Sequence, residues 1–181
     1  MIPGGERVLL GVGSNQGDRA AELRAGLAAL QDHAAVAVTG RSGWWESRYV
    51  GPGEEQEPYL NACLELRTEL EPRELLQVTQ SIERARGREA HGHMRPRPLD
   101  LDILFFGTRT LGGPGLTIPH PRWAERAFVL EPLAELAGDW TPPDSRMTVA
   151  EIRAKIRSAG GPWVRRWAGP DWRDGATLTE E

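Results

Sequence analysis

The order of hydrophobic patterns along the chain predicts an α+β fold: a ferredoxin-like βαββαβ antiparallel sheet with helices on one face, plus a C-terminal helical extension. Three observations carry this reading. Residues 7–13 and 99–106 are short apolar runs of strand length. Residues 59–67 alternate strictly, with Leu60, Ala62, Leu64 and Leu66 on one side and Tyr59, Asn61, Cys63, Glu65 and Arg67 on the other. Two stretches with apolar residues at helical spacing lie between strand-like segments. Strand, helix, strand, strand, helix, strand is the split βαβ order.

Each element has a local reason. After the first strand, Ser14-Asn15-Gln16-Gly17-Asp18 is turn chemistry, and Asp18 is placed to cap a helix over residues 19–33 carrying Leu23, Leu27 and Leu30. Residues 34–38 alternate and begin a second strand, expected to run on through Trp44 and Trp45. Residues 49–57 form a Gly/Pro/Glu loop. Glu71-Pro72 opens the second helix, where the missing proline N–H costs nothing, and Leu75, Leu76, Val78, Thr79 and Ile82 form its core-facing side. Residues 116–120 read as a short extended piece, and 124–136 and 148–158 as helices. The tail carries Trp163, Trp167 and Trp172, and its packing is left open. The expected division is a main domain over residues 1–145 and an extension over 146–181 packed on it.

The chain of 181 residues has a net charge of −4 from 22 basic and 26 acidic side chains. No stretch approaches the roughly 20 apolar residues of a membrane-spanning helix, and residues 1–7 lack the features of a signal peptide. A single cysteine, Cys63, fits a reducing cytoplasm. The overall acidity argues against a general nucleic-acid coat protein. Of the basic residues, 21 are arginine and only Lys155 is lysine. A GC-rich coding sequence accounts for that bias, but its chemical consequence stands. Lys155 lacks the glycine pattern of a Walker A loop, so phosphate handling falls to arginine forks, histidine, backbone N–H groups or metal.

The sharpest feature is the run Leu99-Asp100-Leu101-Asp102-Ile103-Leu104-Phe105-Phe106. On a strand, Asp100 and Asp102 share a face with Cα atoms about 6.6 Å apart, while Leu99, Leu101 and Ile103 face the core. Adjacent carboxylates repel, so a positive partner is required. Two accounts fit: salt bridges to nearby arginines, or hard-cation binding, most simply Mg²⁺. Upstream, residues 84–97 hold five arginines against one acid, with His91 and His93. This is either a solvated basic surface or a polyphosphate clamp with Arg97 as its foremost candidate. Gly11, Gly13 and Gly17 are spaced one residue too widely for a dinucleotide fingerprint, and a tight turn also explains them. His120 could hydrogen-bond a phosphate near Arg126. Cys63 is assigned no chemistry.

Arg97-Pro98-Leu99-Asp100-Leu101-Asp102-Ile103-Leu104-Phe105-Phe106-Gly107 closely resembles the signature of the 6-hydroxymethyl-7,8-dihydropterin pyrophosphokinase family of folate biosynthesis. Gly13-Ser14-Asn15, Tyr59-Leu60-Asn61, Gln80 with Glu83, Thr117 to His120, and Arg126 with Phe128 follow in the family's order. The resemblance spans roughly residues 7–140 and implies the ferredoxin-like fold. It implies transfer of pyrophosphate from ATP to the pterin hydroxymethyl group, releasing AMP. Asp100 and Asp102 would bind two Mg²⁺; Arg88, Arg97, His120 and Arg126 would contact nucleotide or phosphate. Gln80, Glu83, Ile103 and Thr117 would lie near the ATP. Tyr59, Asn61 and Phe128, with Ser47 and Val50, would line the pterin pocket. A cytoplasmic monomer acting on small molecules is implied, with neither nucleic acid nor membrane as partner. Two features depart from the family: His93 and Met94 stand where arginine and tryptophan are common, and residues 46–49 are atypical. An RNA-binding module is the rival from another class, although its aromatic sheet motif is absent. A homologue that binds nucleotide without turnover is a third alternative.

Overall fold

The computed structural model describes residues 4–49, 56–87, 96–160 and 163–172. Arg88, His91, His93, Met94 and Val50 therefore lie outside the described residues. In chain order the elements are β1 (Glu6–Ser14), α1 (Arg19–Gln31), β2 (Val36–Arg41), β3 (Trp45–Ser47), β4 (Tyr59–Thr68), α2 (Pro72–Ala85), β5 (Asp100–Phe106), α3 (Ala127–Ala137), α4 (Val149–Ser158) and β6 (Val164–Arg166). A 3-10 turn at Trp123–Glu125 precedes α3. No helix among the described residues is long and apolar enough to cross a membrane.

The sheet runs β5-β1-β4-β3-β6, and β2 pairs with the other half of β4. All pairings are antiparallel. This is the ferredoxin-like order, with two differences from the sequence expectation: the tail contributes β6 to the sheet, and the second strand is divided. The second strand does not run unbroken to Trp45; it divides into β2 against Leu64–Thr68 and β3 against Tyr59–Asn61. At the break Ser42 is fully buried, and its hydroxyl accepts from the Cys63 N–H at 2.8 Å. Fully buried Trp44 occupies the same corner, its ring edge-on to Trp172 at 5.5 Å. Trp44 and Trp172 thus fill the corner at which the ladder breaks.

The two helices of the βαββαβ unit cover one face. Asp18 caps α1 by accepting from the Ala21 N–H at 3.0 Å, and Leu23, Leu27 and Leu30 bury against Val8, Leu10, Val12, Leu64 and Leu101. Each such leucine contributes about 2 kcal/mol on leaving water. A Cβ at Gly26 would come within 2.9 Å of Leu99 Cδ2, so glycine sets how closely α1 approaches the strand. In α2, the Glu71 N–H donates to the Glu74 carboxylate at 2.7 Å, closing the first turn. Leu75, Thr79 and Glu83 face inward.

The opposite face is half covered. Helices α3 and α4, the latter capped reciprocally by Thr148 and Glu151, pack Leu130, Leu133, Val149 and Ile152 over Leu9, Cys63, Leu104 and Phe105. Pairing between β1 and β5 shifts register between Leu9 and Leu10, leaving Leu104 unmatched. This bulge brings Leu104 and Phe105 to the same side, where Phe105 meets Trp123 and Trp140 edge-on, each at 4.9 Å. Residues 116–120 make only an isolated bridge, Leu111 to Ile118, ahead of a cis Ile118–Pro119 bond. The tail packs back: β6 adds to the outer edge of β3, and the Trp172 Nε1–H donates to the Ser42 carbonyl at 2.8 Å.

Candidate active site

Where α3 and α4 stop, the sheet face stays open. The half of β1 that runs there offers Gly11 and Gly13, so no side chain rises from the middle strand. A cleft of about 210 Å³ results, walled by Tyr59 and Asn61 of β4 and by Asp100 and Asp102 of β5. Arg97, Arg122, Arg126 and Phe128 close one flank, and Ser47, Arg48 and Tyr49 the other. A Cβ on Gly13 would sit 3.5 Å from Asn61 Oδ1 and 3.7 Å from Tyr59 Cδ1, in ordinary contact but on the cleft floor.

The carboxylate pair is electrostatically unequal. Asp100 accepts from Arg97 Nη1 at 2.5 Å. Burial works against the Arg97 guanidinium, yet the charge and hydrogen bond of Asp100 outweigh it and hold its pKa above the ordinary value. Asp102 makes no such ion pair among the described residues. Burial and then the Asp100 charge push its carboxyl up to about 7, with Arg126 pulling the other way. The Arg126 guanidinium is itself lowered by burial, although Asp102 opposes that loss. Arginine thus matches Asp100, whereas the surroundings of Asp102 penalise its charged form.

Arg97 is held from behind. Its backbone N–H donates to Asn15 Oδ1 at 2.7 Å, and its carbonyl accepts from the Asn15 N–H at 3.1 Å. Asn15 Nδ2 donates in turn to Gln56 Oε1 at 2.9 Å. The turn after β1 therefore joins the entry to β5 with the segment leading into β4.

The far wall is aromatic and amide. Tyr49 stacks on Tyr59 with ring centres 6.5 Å apart and planes 23° from parallel. Asn61 Nδ2 donates to Ser47 Oγ at 3.0 Å and to the Trp45 carbonyl at 3.2 Å, which fixes the amide and turns Oδ1 toward the floor near Gly13. Across the cleft, the Arg126 guanidinium lies 5.6 Å from the Phe128 ring centre.

The structure thus brings Arg97, Asp100, Asp102, Arg126, Ser47, Tyr59, Asn61 and Phe128 together around one cleft. Other expected residues lie off it. Ile103 is buried in the core beneath the sheet, because it alternates with the aspartates. Glu83 is buried on α2, and its Oε1 accepts from the Leu101 N–H at 2.7 Å. Gln80 and Thr117 are exposed. His120 is tied locally: its N–H donates to the Leu104 carbonyl at 2.9 Å and its Nδ1 accepts from the Arg122 N–H at 3.2 Å. Burial and then Arg126 hold its imidazole down at about 4, leaving it neutral near pH 7. Burial pushes the Cys63 thiol up, so Cys63 offers no thiolate. Sequence reasoning passed over Arg48, Tyr49, Arg122, Gly11 and Gly13 as cleft residues. An aromatic in a Gly/Pro loop was a usable signal for Tyr49; Arg122 carries none.

As a metal site the pair fits a hard dication. It supplies two oxygen donors from one strand face, opening onto a cleft flanked by cations that suit phosphate oxygens. Mg²⁺ commonly takes one or two carboxylates and completes its shell with substrate phosphates and water. Among the described residues no cluster of three or more His, Cys, Asp or Glu is present.

Residues 9–138 match the family model described as 7,8-dihydro-6-hydroxymethylpterin-pyrophosphokinase (HPPK). The chain is similar to the 2-amino-4-hydroxy-6-hydroxymethyldihydropteridine pyrophosphokinase of Synechocystis, with 42% identity over 148 residues, 82% of this chain and 75% of that protein. It is 46% identical over 127 residues to the Bacillus subtilis protein of the same name, covering 70% of this chain and 75% of that one. Among solved structures, a Plasmodium falciparum HPPK-DHPS chain shares the fold with a TM-score of 0.69 and 14% identity. That match covers 85% of this chain and 43% of the longer one, so this chain spans less than half of the HPPK-DHPS protein.

Proposed function

The chain belongs to the 7,8-dihydro-6-hydroxymethylpterin-pyrophosphokinase family, and we propose that its cleft transfers pyrophosphate from ATP to the hydroxymethyl group of 6-hydroxymethyl-7,8-dihydropterin, a step of folate biosynthesis. The observation that carries this is the pairing of two different walls in one cleft. Same-face aspartates stand among arginines on one side, and a stacked tyrosine pair with a fixed amide stands on the other. The first suits a metal-bound triphosphate, the second a flat heterocycle with hydrogen-bonding edges.

In this reading Tyr59, Asn61, Phe128 and Ser47 hold the pterin, with Tyr49 completing the aromatic wall. Arg97 and Arg126 take phosphate oxygens, and Asp100 and Asp102 hold Mg²⁺, two ions being expected. The bound metal would neutralise triphosphate charge and fix its geometry at the attacked β-phosphorus. The hydroxymethyl oxygen bonds to the β-phosphorus as the α,β-bridging oxygen departs with AMP. Positioning and electrostatics suffice, and no covalent enzyme intermediate is needed. Arg88 and Val50 join the site on family resemblance alone. Gln80, Glu83, Thr117 and His120 are assigned to the nucleotide side on the same ground. Ile103 contributes there through its backbone, because its side chain is buried in the core. We further propose a cytoplasmic monomer, a catalytic domain over residues 1–145, and an extension over 146–181 belonging to the same folded unit.

Coupled AMP release from purified protein with ATP, Mg²⁺ and the dihydropterin tests the proposal. AMP should form only when pterin is present; folded protein giving no AMP above the pterin-free blank would refute it.

A further inference from the structure

Strand β3 is three residues long, yet it carries the outer wall of the cleft. Ser47 ends it, and Arg48 and Tyr49 follow directly. So short a strand is placed by its neighbours. On the inner side β4 holds it through three residue pairs, and on the outer side β6 holds it through three more: Trp45 to Arg166, Glu46 to Arg165 and Ser47 to Val164.

The middle residue, Glu46, is only 5% exposed. Arg19 reaches its Oε1 at 3.0 Å from α1, and the Pro58 carbonyl accepts from Arg19 Nη1 at 2.6 Å. Arg165 reaches Oε2 twice, from Nε at 3.0 Å and from Nη2 at 2.6 Å. A carboxylate in that position costs free energy unless both oxygens are matched. A second link joins the same tail to the cleft wall. Trp163, 41% exposed, lies 4.9 Å from the Arg165 guanidinium and 5.8 Å from that of the cleft residue Arg48.

We infer that the C-terminal strand β6 is a brace for the pterin wall, with Arg165 as a positioning residue that fixes β3 through Glu46 and so sets pterin affinity; this rests on the pterin reading above. An exposed ion pair would contribute little. Here one partner is buried, so its loss leaves Glu46 half matched and β3 free to move away from Tyr59 and Asn61. The effect is local to the pterin side, because Arg97, Asp100 and Asp102 stand on the entry and strand of β5, at the opposite edge of the sheet.

A pair of the same character supplies the control. On α4, 60% exposed Arg157 reaches the 5% exposed carboxylate of Glu131 on α3 at 2.9 Å, and neither residue belongs to β3, β4 or β6. Calorimetry on the full chain, with Mg²⁺ and a non-hydrolysable ATP analogue present, measures affinity for 6-hydroxymethylpterin. Arg165→Ala should weaken it roughly tenfold, as expected for a lost charge-assisted hydrogen bond, with analogue binding unchanged. Arg165→Lys should recover most of the loss. Arg157→Ala should lower the melting temperature without changing pterin affinity. Should Arg165→Ala fail to fold, Trp163→Ala reads the same claim through the Arg48 link, with a smaller loss of the same kind. Pterin affinity within twofold of wild type, equal weakening of the ATP analogue, or an equal effect of Arg157→Ala would each overturn the brace. AMP release is scored separately on the wild type. Pterin binding without AMP sinks the transfer reading and leaves the brace testable, whereas absence of pterin binding sinks both.

Discussion

Replacing Asp102 by asparagine should stabilise the metal-free protein at alkaline pH while abolishing turnover. The sign follows from the folded-state pKa. Asp102 titrates ordinarily at 3.8 but is pushed up to about 7 in the folded protein, by burial first and the Asp100 charge second. Between those values the folded chain keeps a proton that the unfolded chain has released, so stability falls as pH rises through the window. Each pH unit corresponds to about 1.4 kcal/mol, giving an upper bound of about 4 kcal/mol by pH 8. Asp102 borders a cleft that admits water, and screening should reduce the observed effect to about 2 kcal/mol. Asparagine has nearly the same shape and does not ionise. Urea unfolding in EDTA at intervals from pH 4 to pH 8 should therefore show the stability difference, variant minus wild type, growing steadily in favour of the variant. Added Mg²⁺ should raise wild-type stability at pH 8 more than that of the variant. A difference that is flat or shrinks with pH would refute the claim that the fold penalises this charge.

Three further outcomes are expected. His120, held down at about 4 in the fold, is protonated in the unfolded chain below about pH 6.5, so stability should fall by at most about 3 kcal/mol, and by about 2 kcal/mol after solvent screening, as pH drops from 6.5 to 4; urea unfolding of His120→Asn should show a flatter acid limb. Glu83→Ala should cost about 1–3 kcal/mol by leaving the buried Leu101 N–H without its carboxylate, and Glu83→Gln should recover much of that by chemical denaturation. Gly13→Ala should fold with its melting temperature nearly unchanged, because the added methyl meets only ordinary contacts. Occupying the cleft floor, it should raise the KM for pterin more than the KM for ATP.

Strands and helices of the βαββαβ unit were legible because period and capping sit in the local sequence. The alternation over residues 59–67 placed every β4 side chain on its correct face, and Asp18 and Glu71 marked helix starts that the structure keeps. The aspartate pair was legible for the same reason, since period-two geometry puts Asp100 and Asp102 side by side. Features set by distant partners were not legible. The break between β2 and β3 has only Ser42-Gly43 as a local signal, and the residue that fills the corner against Trp44 is Trp172, more than a hundred residues away. The alternation that correctly placed the aspartates also fixes the Ile103 side chain in the core. The second helical layer was seen only as helices in sequence. Leu9, Cys63 and Phe105, which pair it to the sheet, belong to a face that reads as half polar until α3 is docked.

The division of the outer strand has a consequence for ligand design. On the proposed reading, the two walls that would face the pterin differ in how firmly they are held. Tyr59 and Asn61 sit on β4, which is bonded to β1 from Leu60 to Thr68 and to β2 and β3 on its other side. Arg48 and Tyr49 follow the three-residue β3, which is held between β4 and β6. A synthetic pterin mimic enlarged toward Asn61 would meet a backbone that cannot yield without disrupting the centre of the sheet. One enlarged toward Tyr49 would press on a wall whose hold is confined to the short β3 pairings and the Glu46 ion pairs. Tolerance for added bulk should therefore be directional, and resistance substitutions should collect on the yielding side.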